Sequence, residues 1–568
     1  MKENPKKQID IRARRIASFR LSVLMIIVFL IMLLIVGKMI DLQSGNYKHY
    51  SRMSSKNSFR DIPIPSVRSS IVDRTGEIVA LDIPRYRLIR VLKNGLWEEE
   101  LLDFAQASHI AENGASPGEY VEAVPKRSYP GGESMAHVTG YVGEVSKEEL
   151  HRWRNKGYEP GDRIGKSGLE AWYENYLNGS KGKRKFFVDA RGNFLGDIDR
   201  ERPMGGKPLR CTIDTRLQKI AYEELRRNGR KGAVVFMDSR SGELLVLATC
   251  PSFEGNLSVE GFSPQAWAGL HDDPENPLLN RAVSVTVPVG SVFKLVVAAA
   301  AIQEGIVKPD TMFSCGGRYE LGTRVFRCWK EAGHGKISFV DAIAESCDVV
   351  FYQVGRDLGV TKIKKYAKIL GFGSKTGVDL PGESIGLLPD PEWKKTFRHS
   401  DWYEGDTVNL SIGQGFMQAS PIQALVMTNV FATRGMLVTP HLNMDSERKP
   451  ERVELSEKTI DIVREGMRRA VLSGTAVRLR NFPVSSSGKT GTAEDKPRPD
   501  PHAWYVGYAP ADRPVLTYAV FVENGGHGSS DALPIAKKVL ERAMELGYID
   551  KDTETGSMLE PVEFERGD

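Results

Sequence analysis

Pro288-Val289-Gly290-Ser291-Val292-Phe293-Lys294 runs directly into Leu295-Val296-Val297-Ala298-Ala299-Ala300-Ala301-Ile302. The second run is apolar at every position, so a helix built from it has no polar face and belongs in a domain core. Ser291 and Lys294 stand at i and i+3 and share one helix face near the start. A lysine buried there loses hydration, which favours the neutral amine and lets it take a proton from a nearby hydroxyl. Amide N–H groups at a helix start can also hold an oxyanion. Alone, Ser-x-x-Lys is a weak signal, because an ordinary serine helix cap gives the same tetrapeptide.

Two elements downstream sharpen it. Ser346-Cys347-Asp348 opens a second helical run, Val349-Val350-Phe351-Tyr352-Gln353, and Ser487-Gly488-Lys489-Thr490-Gly491-Thr492-Ala493-Glu494 reads as a strand edge. Ser-x-x-Lys, then a Ser-Asp-Asn-like triplet, then Lys-Thr-Gly, in that order, is the toolkit of serine acyl-transfer chemistry. The second serine can relay a proton to a leaving group. Lys489 supplies positive charge, Thr490 and Thr492 supply hydroxyls, and the strand edge can bind an extended peptide. The chance alternatives fail on spacing: a phosphate loop ending at Lys489-Thr490 needs glycine at Pro483, and a nucleophile elbow at Ser291 needs glycine at Val289. A second Lys-Thr-Gly, Lys375-Thr376-Gly377, leads into Val378-Asp379-Leu380-Pro381-Gly382, whose Pro and Gly mark a loop.

The flanks frame one mixed domain. Gly232–Asp238 and Glu243–Thr249 are strand-like runs joined through Ser239-Arg240-Ser241-Gly242, a hairpin signature. Helical segments fill the stretch from about Ser291 to Ala432, strand-like runs return at Ala503–Ala509 and Val515–Glu523, and a last helix is expected over Pro534–Leu546. Strands at both ends of a helical block predict that the terminal strands pair in one antiparallel sheet. The fold class is therefore α+β.

Ahead of this domain, Asp61-Ile62-Pro63-Ile64-Pro65 and Arg68–Glu77 read as short strands and turns. Residues 1–20 carry seven Lys and Arg against Glu3 and Asp10, which accounts for the whole formal charge of +5. The rest of the chain is near neutral, unlike a nucleic-acid binder, whose folded domains carry the basic residues. From Leu21 to Ile40 only Ser22 and Lys38 are polar, and twenty helical residues span about 30 Å, the thickness of a bilayer core. No cleavage site follows, so an uncleaved anchor is expected, with the N-terminus cytoplasmic by the positive-inside rule. The expected layout is a cytoplasmic tail 1–18, transmembrane helix 19–40, β-rich pedestal 41–206, catalytic domain 207–549 and disordered tail 550–568.

The chain from its anchor to about Gly547 resembles the class B penicillin-binding proteins, most closely the penicillin-binding protein 2 family of the elongation machinery. Arg68–Gly76 is similar to that family's Arg-Gly-x-Ile-x-Asp-Arg-x-Gly motif, with Ser69 in place of Gly. Ile164–Glu170, Gly405–Gly415 with Ser420-Pro421-Ile422-Gln423 after it, and Glu523–Gly528 also resemble family runs. Many class B enzymes have Asn where this chain has Asp348, and the penicillin-binding protein 2 branch resembles it in having Asp. The segment from about Arg90 to Val124 is shorter than the family's usual one. The resemblance implies a serine β-lactamase/transpeptidase-like domain on an elongated pedestal, cross-linking peptidoglycan stem peptides and acylated by β-lactams. It implies Ser291 as nucleophile, Lys294 as general base, Ser346 and Lys489 in proton transfer, and the N–H groups of Ser291 and Thr492 as oxyanion hole. Asp348, Thr490, Gly491 and Thr492 complete the expected site. A glycan polymerase of the shape, elongation, division and sporulation (SEDS) family and other elongation proteins are the implied partners, at the inner membrane with the catalytic domain outside.

Cys315, Cys328, His334 and Cys347 lie in a short stretch beside the active-site triplet. Three thiolates and an imidazole suit a closed, structural Zn²⁺ site, and penicillin-binding protein 2 relatives are similar in having a zinc site with Asp, His and Cys ligands. The alternative is a Cys315–Cys328 disulfide. Cys211 and Cys250 read as small core residues.

Three other functions share these motifs. A carboxypeptidase or β-lactamase would use water as acceptor, which a long pedestal disfavours. A β-lactam sensor should carry further transmembrane segments. A scaffold has no need of an intact Ser291, Lys294 and Lys489.

Overall fold

The structure, a computed structural model, describes residues 5–48, 50, 59–92, 96–116, 118–153, 156–189, 194–258, 263–495 and 500–551. The expected disordered tail lies outside the described residues from position 552, as do residues 1–4 of the expected cytoplasmic tail. Helix α1 runs Pro5–Ile40. It starts well before residue 19, because the basic stretch contains no helix breaker after Pro5. Among the described residues it is the one helix long and apolar enough to cross a membrane.

The chain forms two compact units. One contains the described residues of Met1–Ser66, Pro84–Pro125 and Ser180–Met204. There, strands β1 (Phe59–Ile64), β2 (Gly182–Val188) and β3 (Phe194–Glu201) form an antiparallel sheet with β2 central. Ile62, Ile89, Phe186 and Val188 make a small core.

The second unit holds Val67–Ile83, Lys126–Gly179 and everything from Gly205. Two sets of contacts tie the separate stretches of this unit together. Ile71–Val72 pairs in parallel with Leu209–Arg210. Arg68 and Arg127 are both bound to the Glu170 carboxylate, with Arg68 also 2.8 Å from Glu174 and Arg127 3.2 Å from Asp82. All five side chains are nearly sealed from water, and charges so buried must stay together, since losing one partner costs about 3–5 kcal/mol.

The centre of this unit is a five-stranded antiparallel sheet of β4 (Lys231–Asp238), β5 (Leu244–Cys250), β6 (Ser487–Ala493), β7 (His502–Ala509) and β8 (Leu516–Glu523), in the order β5-β4-β8-β7-β6. The hairpin and the pairing of first and last strands follow the sequence expectation, with Val234 opposite Val520. Helices α2 (Thr215–Arg226) and α6 (Leu533–Glu545) cover one face, packing on Val234, Phe236 and Val520. Helices α3 (Lys294–Gln303), α4 (Asp348–Ile369) and α5 (Pro421–Ala432) contribute to the core on the other, with Ala233, Val235, Met237 and Phe521. Alternate residues of β4 thus feed opposite cores, which is why Ala233–Met237 is a continuous apolar run. Strand β6 lies at the sheet edge, leaving its outer rim for a ligand.

Candidate active site

Ser291 sits in a single 3-10 turn, Gly290–Phe293, that leads into α3. The turn is pressed against β6. A side chain on Gly290, at φ +56°, would put its Cβ 2.4 Å from the Thr492 carbonyl oxygen, so only glycine fits. On its other side the Gly290 N–H donates to Gly413 O at 3.0 Å, giving the Gly405–Gly415 run a place behind the nucleophile. Ser291 and Thr492 are half-buried while Lys294 and Lys489 are fully buried.

Lys294 Nζ donates to Ser346 O at 2.8 Å, Ser346 Oγ at 3.2 Å and Asp348 Oδ1 at 2.7 Å. Those three contacts hold Lys294 Nζ against Ser346 and Asp348. Lys489 Nζ donates to Ser346 Oγ at 2.8 Å and to Thr490 O at 2.9 Å. Burial, with the Lys294 charge in second place and Asp348 opposing, holds Lys489 well below the usual lysine range. Asp348 Oδ1 lies 2.7 Å from Lys294 Nζ. One hydroxyl joins the two amines, and Ser346 is held there at φ +56°, a strained setting for a non-glycine residue.

Asp348 begins α4 and accepts from Trp329 N–H at 2.8 Å as well as from Lys294. It orients Lys294. Trp329, whose indole N–H donates to Glu345 O at 3.0 Å, was missed in the sequence, and its position directly after Cys328 was the available clue. Thr490 Oγ1 donates to Thr475 Oγ1 at 2.7 Å, and Gly491 packs against Val289 O and Trp504. The second Lys-Thr-Gly is a loop: Thr376 donates through N–H and Oγ1 to Glu383.

Cys315, Cys328, His334 and Cys347 converge, their ligand atoms all within 4.8 Å of one another. His334 Nδ1 is 3.6 Å from each of the Cys315 and Cys328 sulfurs. Cys315 and Cys328 are free thiols, as are Cys211, Cys250 and Cys347. A tetrahedral Zn²⁺ with Zn–S of about 2.3 Å sets its ligand atoms about 3.5–3.8 Å apart, so this donor set fits that ion. The alternation at Ser346-Cys347-Asp348 sends Cys347 to the thiol cluster and its two neighbours to Lys294.

Residues 232–544 match the penicillin binding protein transpeptidase domain. The chain belongs to the penicillin-binding protein family. Residues 98–211 match the penicillin-binding protein dimerisation domain. The peptidoglycan D,D-transpeptidase MrdA of Acinetobacter baumannii is 33% identical over 94% of this chain and 89% of its own. MrdA of Escherichia coli K12 is 28% identical over 91% and 93%. Penicillin-binding protein 2 of Helicobacter pylori, solved with MreC, superposes with a TM-score of 0.78 at 29% identity, covering 86% of this chain and 99% of that one. Penicillin-binding protein 2 of Pseudomonas aeruginosa, solved with WCK 5153, gives 0.72 at 32%, covering 88% and 100%. A structure titled as a peptidoglycan synthase complex coordinating polymerization and crosslinking gives 0.74 at 32%, covering 94% and 99%. These place the penicillin-binding protein in class B, in the penicillin-binding protein 2 branch.

Proposed function

We propose that this penicillin-binding protein is a peptidoglycan D,D-transpeptidase of cell-wall elongation, acting through a Ser291 acyl-enzyme. The observation that carries the residue roles is the buried Lys294–Ser346–Lys489 chain, with 3.2 and 2.8 Å links through one hydroxyl. A proton passes from Lys294 through Ser346 to the neutral Lys489, leaving Lys294 free to accept the Ser291 hydroxyl proton. Ser291 Oγ bonds to the penultimate D-Ala carbonyl carbon, and the Ser291 and Thr492 N–H groups receive the oxyanion. The C–N bond to the terminal D-Ala then breaks as its nitrogen takes a proton back through Ser346. An amine of a second stem peptide attacks the ester, and the Ser291 hydroxyl is restored. A β-lactam amide undergoes the first half of this cycle and stops at the ester. The open edge of β6 gives the donor peptide a backbone to pair with.

Cys315, Cys328, His334 and Cys347 would hold Zn²⁺ with four protein ligands and no open position. When bound, the ion supplies a structural cross-link between the strand ending at Cys315, the Cys328–His334 loop and the start of α4, next to Asp348. Helix α1 anchors the chain in the inner membrane, with its basic end cytoplasmic and the catalytic unit outside. An MreC of the kind solved with the Helicobacter relative, other elongation-complex proteins and a SEDS glycan polymerase are the partners this reading names.

Intact-mass measurement after incubation with a penicillin tests the enzyme. A single adduct on wild type, absent from Ser291→Ala, is the expected result. A folded wild type that takes no adduct would sink the transpeptidase reading in favour of a scaffold.

A further inference from the structure

The outer rim of β6 is where an extended peptide would pair, and part of that rim is already taken by a side chain. Gln414 turns its amide onto Glu494, the residue that follows β6. In the orientation that satisfies both of its atoms, it donates to Glu494 O at 3.2 Å and accepts from Glu494 N–H at 3.0 Å. A side-chain amide so placed copies the pair of bonds that a neighbouring strand would make. Both backbone groups of Glu494 therefore face the outer rim, and the two-residue period of a strand puts those of Thr492 and Thr490 on the same side. The Thr492 carbonyl agrees, lying against Gly290 of the nucleophile turn. Lys489 Nζ takes the Thr490 carbonyl at 2.9 Å. The rim is thus occupied on either side of Thr492, which is the residue presented to a ligand.

The loop that carries Gln414 also holds the nucleophile. Helix Glu404–Ser411 ends in it, with Gly413 N–H donating to Leu410 O at 2.9 Å and Gln414 N–H to Asn409 O at 3.0 Å. Gly413 stands at φ +70°, and a Cβ there would fall 2.3 Å from Gly290 O, so the loop lies flush against the turn of Ser291. Farther on, Ala419 N–H donates to Val287 O at 3.0 Å and Val287 N–H to Ala419 O at 3.2 Å, which keeps the two segments side by side. Gly413 fixes the nucleophile turn, and its neighbour fixes the end of β6. The Ser291 and Thr492 N–H groups are set against each other by this one short loop.

We infer that Gln414 is a positioning residue for acyl transfer: it binds Glu494 as a strand would, which holds the Thr492 N–H opposite that of Ser291 and ends the peptide-binding rim at Thr492. The inference deepens the transpeptidase reading and rests on it. Gln414 acts through Thr492 and not on the reacting atoms. Stabilisation of an oxyanion depends on donors placed in advance, and a misplacement of about 1 Å can cost about a hundredfold in rate.

The test uses the full chain in detergent and a fluorescent penicillin, with acylation separated into the binding constant K and the first-order step k2. Gln414→Met keeps the length of the side chain and removes both bonds to Glu494. In this variant k2 should fall by roughly tenfold or more, with K little changed. The ester carbonyl of the acyl-enzyme, followed by isotope-edited infrared spectroscopy, should move to higher wavenumber as its hydrogen bonds weaken. A loss of stability alone would not give that shift. Gln414→Glu keeps an acceptor for the Glu494 N–H but sets a second acceptor against the Glu494 carbonyl. It should move both readouts in the same direction, and it decides the matter where the methionine variant does not fold. An unchanged k2 in a folded variant, a rise in K alone, or a slower k2 with the ester band unmoved each overturns the assignment, the last leaving Gln414 a purely structural residue. A wild type that takes no penicillin adduct would instead count against the transpeptidase reading, and this role would fall with it.

Discussion

Replacing Lys489 with arginine isolates the neutral amine on which the relay depends. Lys489 Nζ is fully buried, 2.8 Å from the Ser346 hydroxyl that Lys294 reaches from 3.2 Å. Arginine stays protonated at any usable pH, so Ser346 would face two permanent cations and the proton leaving Lys294 would have no acceptor. Losing a positioned proton acceptor lowers a rate by about 10²–10⁴, equivalent to about 2.7–5.4 kcal/mol of barrier. The assay is the acylation rate with a fluorescent penicillin from pH 5 to 9, on wild type, Lys489→Arg and the neutral, uncharged Lys489→Gln, with thermal midpoints as folding controls. The sign of the pH dependence follows from the depressed Lys489. Its amine is neutral above that lowered value, so wild-type acylation falls as pH drops through it. Across the interval from there up to the ordinary lysine range the unfolded chain binds the extra proton, so this group makes stability rise with pH. The arginine variant should lack the acid limb. An arginine variant that folds and acylates within threefold of wild type, with the same pH profile, would falsify the relay.

Gly290→Ala should cut acylation at least tenfold, since the methyl meets the Thr492 carbonyl and strains a turn at positive φ. A normal rate would mean that the turn does not set the oxyanion geometry. Asp348→Ala strips the buried Lys294 ammonium of its counter-ion and the Trp329 N–H of its acceptor, and should destabilise the catalytic unit by about 3–5 kcal/mol. An unchanged urea midpoint refutes this. Metal analysis of the purified chain should find about one zinc, reduced in Cys328→Ser. Stripping it should change the emission of Trp329, whose ring lies 5.6 Å from His334, and slow acylation through Asp348. Zinc-free protein with full activity refutes the structural role.

Much of this was legible in the chain because the chemistry is locally encoded. The serine and lysine of Ser291–Lys294 are fixed by a helical step of three, Cys347 is parted from Ser346 and Asp348 by alternation, and β4 betrays its two covered faces by an unbroken apolar run. The strand-like stretches gave the sheet, since apolar strands at both ends of a helical block have few other ways to bury themselves. Tertiary structure alone decided which amine is depressed. Ser346 and Lys489 are 143 residues apart, as the hydrogen bond between them records, and burial first, with the Lys294 charge second and Asp348 opposing, depresses Lys489. The same holds for the Arg68–Glu170–Arg127 cluster, whose members come from separate stretches of the chain. Sequence sets which groups a chain owns. Burial and the charges folded around each group decide its protonation, and no local spacing records them.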